Sequence, residues 1–166
     1  MCSCHSAGAQ RLRAPTHPTR KTGDILLLAE RLLRASDVPG TTLRLGGIYG
    51  PGRTRLIDSV RAGRAVIATG EPHYTNRIHR DDCVGLLGNL VGRWLAGETV
   101  PPLVVGTDNS PASNLEVYQW LARQQGLTLS VPETKPTGKR VHSRFIADGG
   151  YTLRYPDFRA GYATLL

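Results

Sequence analysis

The stretch Thr41-Thr42-Leu43-Arg44-Leu45-Gly46-Gly47-Ile48 leads directly into Tyr49-Gly50-Pro51-Gly52, and this junction limits the available folds more than any other segment. Its β-branched and leucine-rich residues predict a strand, and the Gly/Pro cluster marks where the strand must stop. Upstream, Ile25, Leu28, Ala29, Leu32 and Leu33 recur at i, i+3, i+4, i+7 and i+8, the period of an amphipathic helix, with Thr22 as N-cap and Pro39-Gly40 as terminator. Glu30 and Arg34 stand four apart on its other side in the favourable order. Downstream, Leu56, Ile57 and Val60 predict a short helix over about Arg53 to Ala62, stopped by Gly63. Helix, strand, tight loop and helix in succession predict an α/β chain.

The alternation continues. Ala65 to Ala68 predicts a short strand and Thr69 to Asn76 a polar loop. Arg77-Ile78-His79-Arg80-Asp81-Asp82 then opens a helix reaching about Leu95, with Val84, Leu87, Val91 and Trp94 on its apolar side. Asp81 and Asp82 fall in the first turn, where carboxylates complement the helix dipole. Pro102 to Val105 predicts another strand, followed by the turn-rich Gly106 to Pro111. Ser113-Asn114-Leu115-Glu116 is a capping box, so a helix is expected from Asn114 to about Gln125, with Leu115, Tyr118, Leu121 and Ala122 buried. Trp94 and Trp120 are assigned to core packing, and Cys83 to a small buried hydrophobe. Beyond Lys135 a short helix is expected around His142 to Ala147 and an extended run over Tyr151 to Tyr155. Residues 1–20 follow no period and are read as a disordered tail, leaving 21–166 as the folded part.

Composition excludes several classes. With 166 residues, one hydrophobic core is the most to expect. The longest apolar run, Ile25 to Leu33, is interrupted by Glu30 and Arg31, well short of the ~20 apolar residues of a membrane-spanning helix. No apolar segment in Met1 to Arg20 suggests a secretory leader. The formal charge of +8 raises nucleic acid as a partner. Against it, the basic residues are scattered singly and form no zinc-finger, basic-zipper or RNA-recognition pattern. Cys2, Cys4 and Cys83 make no disulfide framework, so a reducing cytoplasm is the expected compartment. Cys2-Ser3-Cys4-His5 contains soft ligands but lacks a second ligand pair, and no metal site is expected.

Leu43 to Gly52 and Asn76-Arg77-Ile78-His79-Arg80-Asp81-Asp82-Cys83-Val84 together resemble the late strand, Tyr-Gly-Pro-Gly loop and helix entry of the extended short-chain dehydrogenase/reductase superfamily. The closer likeness is to its atypical NAD(P)-dependent epimerase/dehydratase-like branch. Pro18 to Leu33, Asp108 to Gly126 and Gly138 to Leu166 resemble further segments of that branch. The resemblance implies the C-terminal portion of an incomplete, doubly wound Rossmann-like sheet: its last strands plus the small substrate-binding portion. The N-terminal dinucleotide-binding half is missing, because no glycine-rich phosphate loop is present. The family's Ser and Tyr-x-x-x-Lys elements would also lie upstream, so no catalytic residue is assigned.

For the full-length family the implied cofactor is NAD or NADP, not bound by this chain alone. Gly47, Ile48, Tyr49, Gly50 and Pro51 would line its nicotinamide side, the glycines allowing close backbone approach. Arg53, Arg77, His79 and Arg140 are the candidate contacts to a small polar substrate. Each has a plainer alternative: His79 as a cap at the helix entry, the arginines, with Arg55 and Lys139, as solvated charge. The implied activity is oxidoreduction or epimerisation, absent from this chain by itself. Partners would be a missing N-terminal half and, in the full-length form, a second copy. A stand-alone substrate-binding module and a basic nucleic-acid-associated protein are the alternatives. An isolated portion should have open strand edges and an uncovered apolar helix face, and should be marginally stable or aggregate.

Overall fold

The computed structural model describes residues 21–63, 73–128 and 137–166. The expected tail over 1–20 and the expected strand over Ala65 to Ala68 lie outside the described residues. The chain forms two compact units, Met1–Gly40 and Thr41–Leu166.

The first unit contributes helix α1, Lys21–Ala35, which starts one residue before Thr22. The expected Glu30–Arg34 pair forms at 3.4 Å. None of its residues is buried, and Ile25, Leu26, Leu28 and Leu32 are each more than half exposed. Leu33 folds over Gly40, where a Cβ would lie 2.8 Å from Leu33 Cδ1, so a glycine ends the segment.

The second unit begins by dividing the expected strand in two. Strand β1, Thr42–Leu45, pairs in parallel with β5, Leu103–Gly106; strand β2, Gly47–Tyr49, pairs in parallel with β4, Arg77–His79. The Gly46 N–H donates to Gly106 O at 2.9 Å, and the next N–H, from Gly47, donates to Asn76 O at 2.8 Å. Successive N–H groups of an extended chain point to opposite edges, so the two glycines pass the chain from a neighbour on one side to a neighbour on the other. Gly46 is required there: a Cβ would sit 2.8 Å from Asn76 O. Two-residue strands β3, Tyr74–Thr75, and β6, Ala112–Ser113, pair antiparallel.

Helices α2 (Arg55–Arg61), α3 (Arg80–Leu95), α4 (Asn114–Gln124), α5 (Arg144–Ala147) and α6 (Phe158–Ala163) complete the unit. Of the expected capping box at Ser113 the N-cap half forms, Oγ accepting from Glu116 N–H at 3.0 Å, while the Glu116 carboxylate turns to Arg159 instead. The described residues form two apolar clusters. One joins α2, α4 and α6 through Ile57, Val60, Val117, Leu121, Phe158 and Tyr162. The other joins the parallel strands to α3 and α5 through Ile78, Leu86, Leu90 and Val104.

Helix α3 buries a different stripe from the one its apolar residues suggest. Asp82, Cys83, Leu86 and Leu90 face inward, whereas Val84, Leu87, Val91 and Trp94 are 68%, 54%, 46% and 57% exposed. The expectation that Trp94 packs in the core is therefore corrected; Trp120 is half-buried against the first cluster. Asp82 determines this rotation. Its carboxylate accepts the backbone N–H of Arg154 at 2.7 Å and of Tyr155 at 3.0 Å, and the Tyr151 hydroxyl at 3.3 Å. These bonds hold Tyr151 to Tyr155, which does not form a strand, against the helix entry. Two asparagines clamp the segment before it. Asn76 donates to Lys139 O at 3.1 Å and accepts from Val141 N–H at 2.8 Å, and Asn109 donates to Ser143 O at 2.9 Å. Among the described residues, no helix is long and apolar enough to cross a membrane.

Candidate functional site

A cleft of about 1120 Å³ opens beside β2 and the loop after it, beginning two residues beyond the end of β1. Gly47, Ile48 and Tyr49 form one wall, Gly52 to Ser59 another, and Thr75, Asn76, Arg77 and Tyr162 close the rest. Crevices beyond the carboxyl ends of parallel strands are where open α/β sheets bind ligands.

The loop is built to a definite shape. Gly50 and Gly52 have φ of +142° and +77°, in the region that disfavours side chains. The Arg53 N–H closes the turn onto Gly50 O at 2.8 Å. Arg80 fixes it from beneath, donating to Pro51 O at 2.9 Å while pairing with Asp81 at 3.0 Å. Nothing in the sequence pattern singled out Arg80 for this task.

Tyr49 belongs to the framework of the wall. Its ring stacks on Tyr162 with centroids 4.3 Å apart, and its hydroxyl donates to Asp157 O at 3.3 Å, away from any role as a free donor. Burial, with Asp108 nearby, raises its ionisation far above the ordinary phenol value. Tyr162, likewise buried, is raised by desolvation, an effect the Arg77 guanidinium beside it opposes. Arg77 is 7% exposed; it donates to Thr75 Oγ1, and its own carbonyl accepts from Asp108 N–H at 2.7 Å. Asp108 is buried behind it and pushed up to about 6 by desolvation, against the Ser110 N–H and Arg77, which favour its charge. Tyr162 and Asp108 were not anticipated from the sequence; the signal available was an Asp157 cap before Phe158 and Tyr162 at i, i+4.

Of the candidate substrate contacts, Arg53 and Arg77 meet in this cleft, as do Gly47, Ile48 and Tyr49 of the cofactor group. Gly50 and Pro51 shape the loop without lining it. His79 is 1% exposed and lies outside the lining; its Nδ1 accepts from Asp81 N–H at 3.2 Å, capping α3, and Tyr155 packs on its ring at 3.9 Å. Burial lowers its pKa, so the ring is neutral with its proton on Nε2. Arg140 also lies elsewhere, its guanidinium 4.3 Å over the Tyr74 ring. Cys83 is buried, its thiol pushed up to about 11 by desolvation. Among the described residues, no group of three His, Cys, Asp or Glu side chains is placed to hold a metal.

Solved structures resemble the chain, two of them as follows. One is a "putative NAD-dependent epimerase/dehydratase" from Methylobacillus flagellatus, 34% identical, with a TM-score of 0.81 over 92% of this chain and 55% of that one. The other is a functionally unknown conserved protein from Silicibacter pomeroyi DSS, 25% identical, with a TM-score of 0.70 over 93% of this chain and 58% of that one. The chain thus spans little more than half the length of either. No family model and no curated protein matches it. The fold is that of part of a Rossmann-like α/β protein.

Proposed function

We propose that the chain is the C-terminal part of an atypical extended short-chain dehydrogenase/reductase of the NAD(P)-dependent epimerase/dehydratase-like branch, acting in the cytoplasm on a small polar substrate. The observation that carries this reading is the cleft. Gly47 to Tyr49, just beyond β1, line it together with Arg53, Arg55 and Arg77. The likeness to the Methylobacillus protein over 55% of its length supports it.

A nicotinamide cofactor would supply hydride transfer. The residues present suit one side of it: Gly47 in the lining carries no side chain, and a Cβ there would already lie 3.4 Å from Asn76 O. The pyrophosphate needs a glycine-rich loop at a helix start, which this chain does not contain. The chain's own residues would bind and orient substrate through Arg53 and Arg77, with the paired Tyr49 and Tyr162 as a rigid apolar backing. A completing half would dock along β1. Leu43 and Leu45 turn their backbone groups away from β5, because Thr42 and Gly46 donate towards it. The complete form would pair with a second copy.

The test is complementation. The chain is mixed with a separately produced N-terminal half of the Methylobacillus relative, and NADH fluorescence is followed. Saturable binding by the mixture and none by the chain alone is expected. Saturable binding by the chain alone, or none by a mixture that co-purifies, overturns the reading. A stand-alone substrate-binding module is the second reading, favoured by one fact: every described wall of the cleft comes from the second unit.

A further inference from the structure

Four arginines elsewhere in the second unit pair with acids, Arg80 with Asp81, Arg93 with Glu98, Arg144 with Asp148 and Arg159 with Glu116, while Arg140 and Arg154 lie over the Tyr74 and Tyr155 rings. Arg53 and Arg55 are exposed at the cleft, and among the described residues neither guanidinium has a hydrogen-bond or ion-pair partner, although the Arg53 charge bears on the Cys83 thiol. Most of the other polar groups there, Ser59 aside, are committed. Thr54 donates to Asp58 at 2.8 Å, Thr75 donates to Ala112 O at 2.8 Å, and the Asn76 amide is used on Lys139 and Val141. The unspent hydrogen-bonding capacity of the cleft is therefore mostly that of two guanidinium forks, which only donate and stay charged. With Arg77 they set three positive charges against the single carboxylate of Asp58.

We infer that this cleft takes an anionic ligand, a carboxylate or phosphate group held by the forks of Arg53 and Arg55, an inference that rests on reading the cleft as the substrate side. Both side chains leave well-fixed backbone. Arg53 closes the turn onto Gly50, and Arg55 begins α2, whose Ile57 and Val60 are anchored in the core. Two forks two residues apart on fixed backbone match the oxygens of one anionic group and lose little freedom in binding it. Arg77, its guanidinium held by Thr75, adds a third positive charge to the lining of the same cleft.

The test titrates the full chain with inorganic pyrophosphate, inorganic phosphate and succinate, following the arginine Nε–Hε resonances. Saturable shifts at Arg53 and Arg55 are expected, with affinity falling about tenfold in Arg53→Ala and in Arg55→Ala. Arg93→Ala should leave it unchanged. The double Lys variant, which keeps charge and fold, should bind more weakly than the parent, because an ammonium cannot form a fork. Tighter binding of the phosphates assigns a phosphorylated ligand, and tighter binding of succinate a carboxylated one. No saturation with any of the three, or equal binding by the double Lys variant, overturns the inference. No nicotinamide is present, so the outcome is independent of the complementation test.

Discussion

Asp82 and Arg154 meet across 72 residues of chain, the Arg154 N–H donating to Asp82 Oδ1 at 2.7 Å. This bond and its companion from Tyr155 tie the last stretch of the chain to the entry of α3, just above the helix that places Tyr162 in the cleft. Asp82 is fully buried, so its carboxylate depends on these donors in place of water.

Replacing it tests that arrangement. Asp82→Ala should destabilise the chain by on the order of 2 kcal/mol, since two partly buried N–H groups and the Tyr151 hydroxyl lose their acceptor. Asp82→Asn keeps one oxygen and should lose less. Urea denaturation followed by circular dichroism reads both; equal, small losses would mean the tail is held by packing instead.

Adjacent leucines on α3 should behave oppositely. Leu86 is fully buried and Leu87 is 54% exposed. Leu86→Ala is expected to cost about 3 kcal/mol, and Leu87→Ala within about 0.5 kcal/mol in the isolated chain. Polar replacement of Leu87 and Val91 should also raise the temperature at which the chain aggregates, as the exposed stripe is an association surface. Light scattering during heating measures this.

Asp108 gives stability a pH dependence. Its folded pKa of about 6 lies above the ordinary aspartate value, so between pH ~4 and ~6 the folded state binds more protons than the unfolded one. Its stabilising contribution is full below the lower value and is lost as pH rises through the upper. Asp108→Asn should therefore be more stable than the parent at pH 7, by on the order of 2 kcal/mol, with the gap closing by pH 4. Paired denaturation curves at the two pH values decide it.

Two glycines face tyrosine rings. A Cβ on Gly161 would overlap the Tyr49 hydroxyl and lie 2.6 Å from its Cζ, whereas on Gly85 it would overlap the Tyr151 hydroxyl with Cζ at 2.9 Å. Gly161→Ala should cost about 3 kcal/mol, and Tyr49→Phe should recover little because ring carbons still collide. Tyr151→Phe should recover more of the Gly85→Ala loss, since the nearest overlap disappears with the hydroxyl. Thermal melts of the four single and two double variants make the comparison.

Much of this molecule could be read from local pattern. The helical period over Ile25 to Leu33, the Ser113 cap and the stop at Gly126 each depend on neighbours in sequence, and each is present in the structure. So is the glycine turn after Tyr49; that Gly47, Tyr49, Arg53 and Arg77 meet in one cleft is implied by the family resemblance and by no local period. Helix α6 escaped because six residues hold too few periods to stand out, although Asp157 caps it by accepting from Ala160 N–H at 2.8 Å.

What the sequence determined by itself is therefore which residues share a face or must turn: capping, φ and side-chain period are properties of a few adjacent residues. Only the tertiary structure decided which face would be covered. Helix α3 carries two apolar stripes, and Asp82 reaching donors more than 70 residues away selected the one that packs. It also decided that one strand becomes two, because Gly46 and Gly47 donate to opposite neighbours, and that His79 turns its Nδ1 to a helix N–H outside the cleft while Tyr162 enters it. Burial and long-range pairing depend on what arrives from elsewhere in the chain, and no local period encodes that.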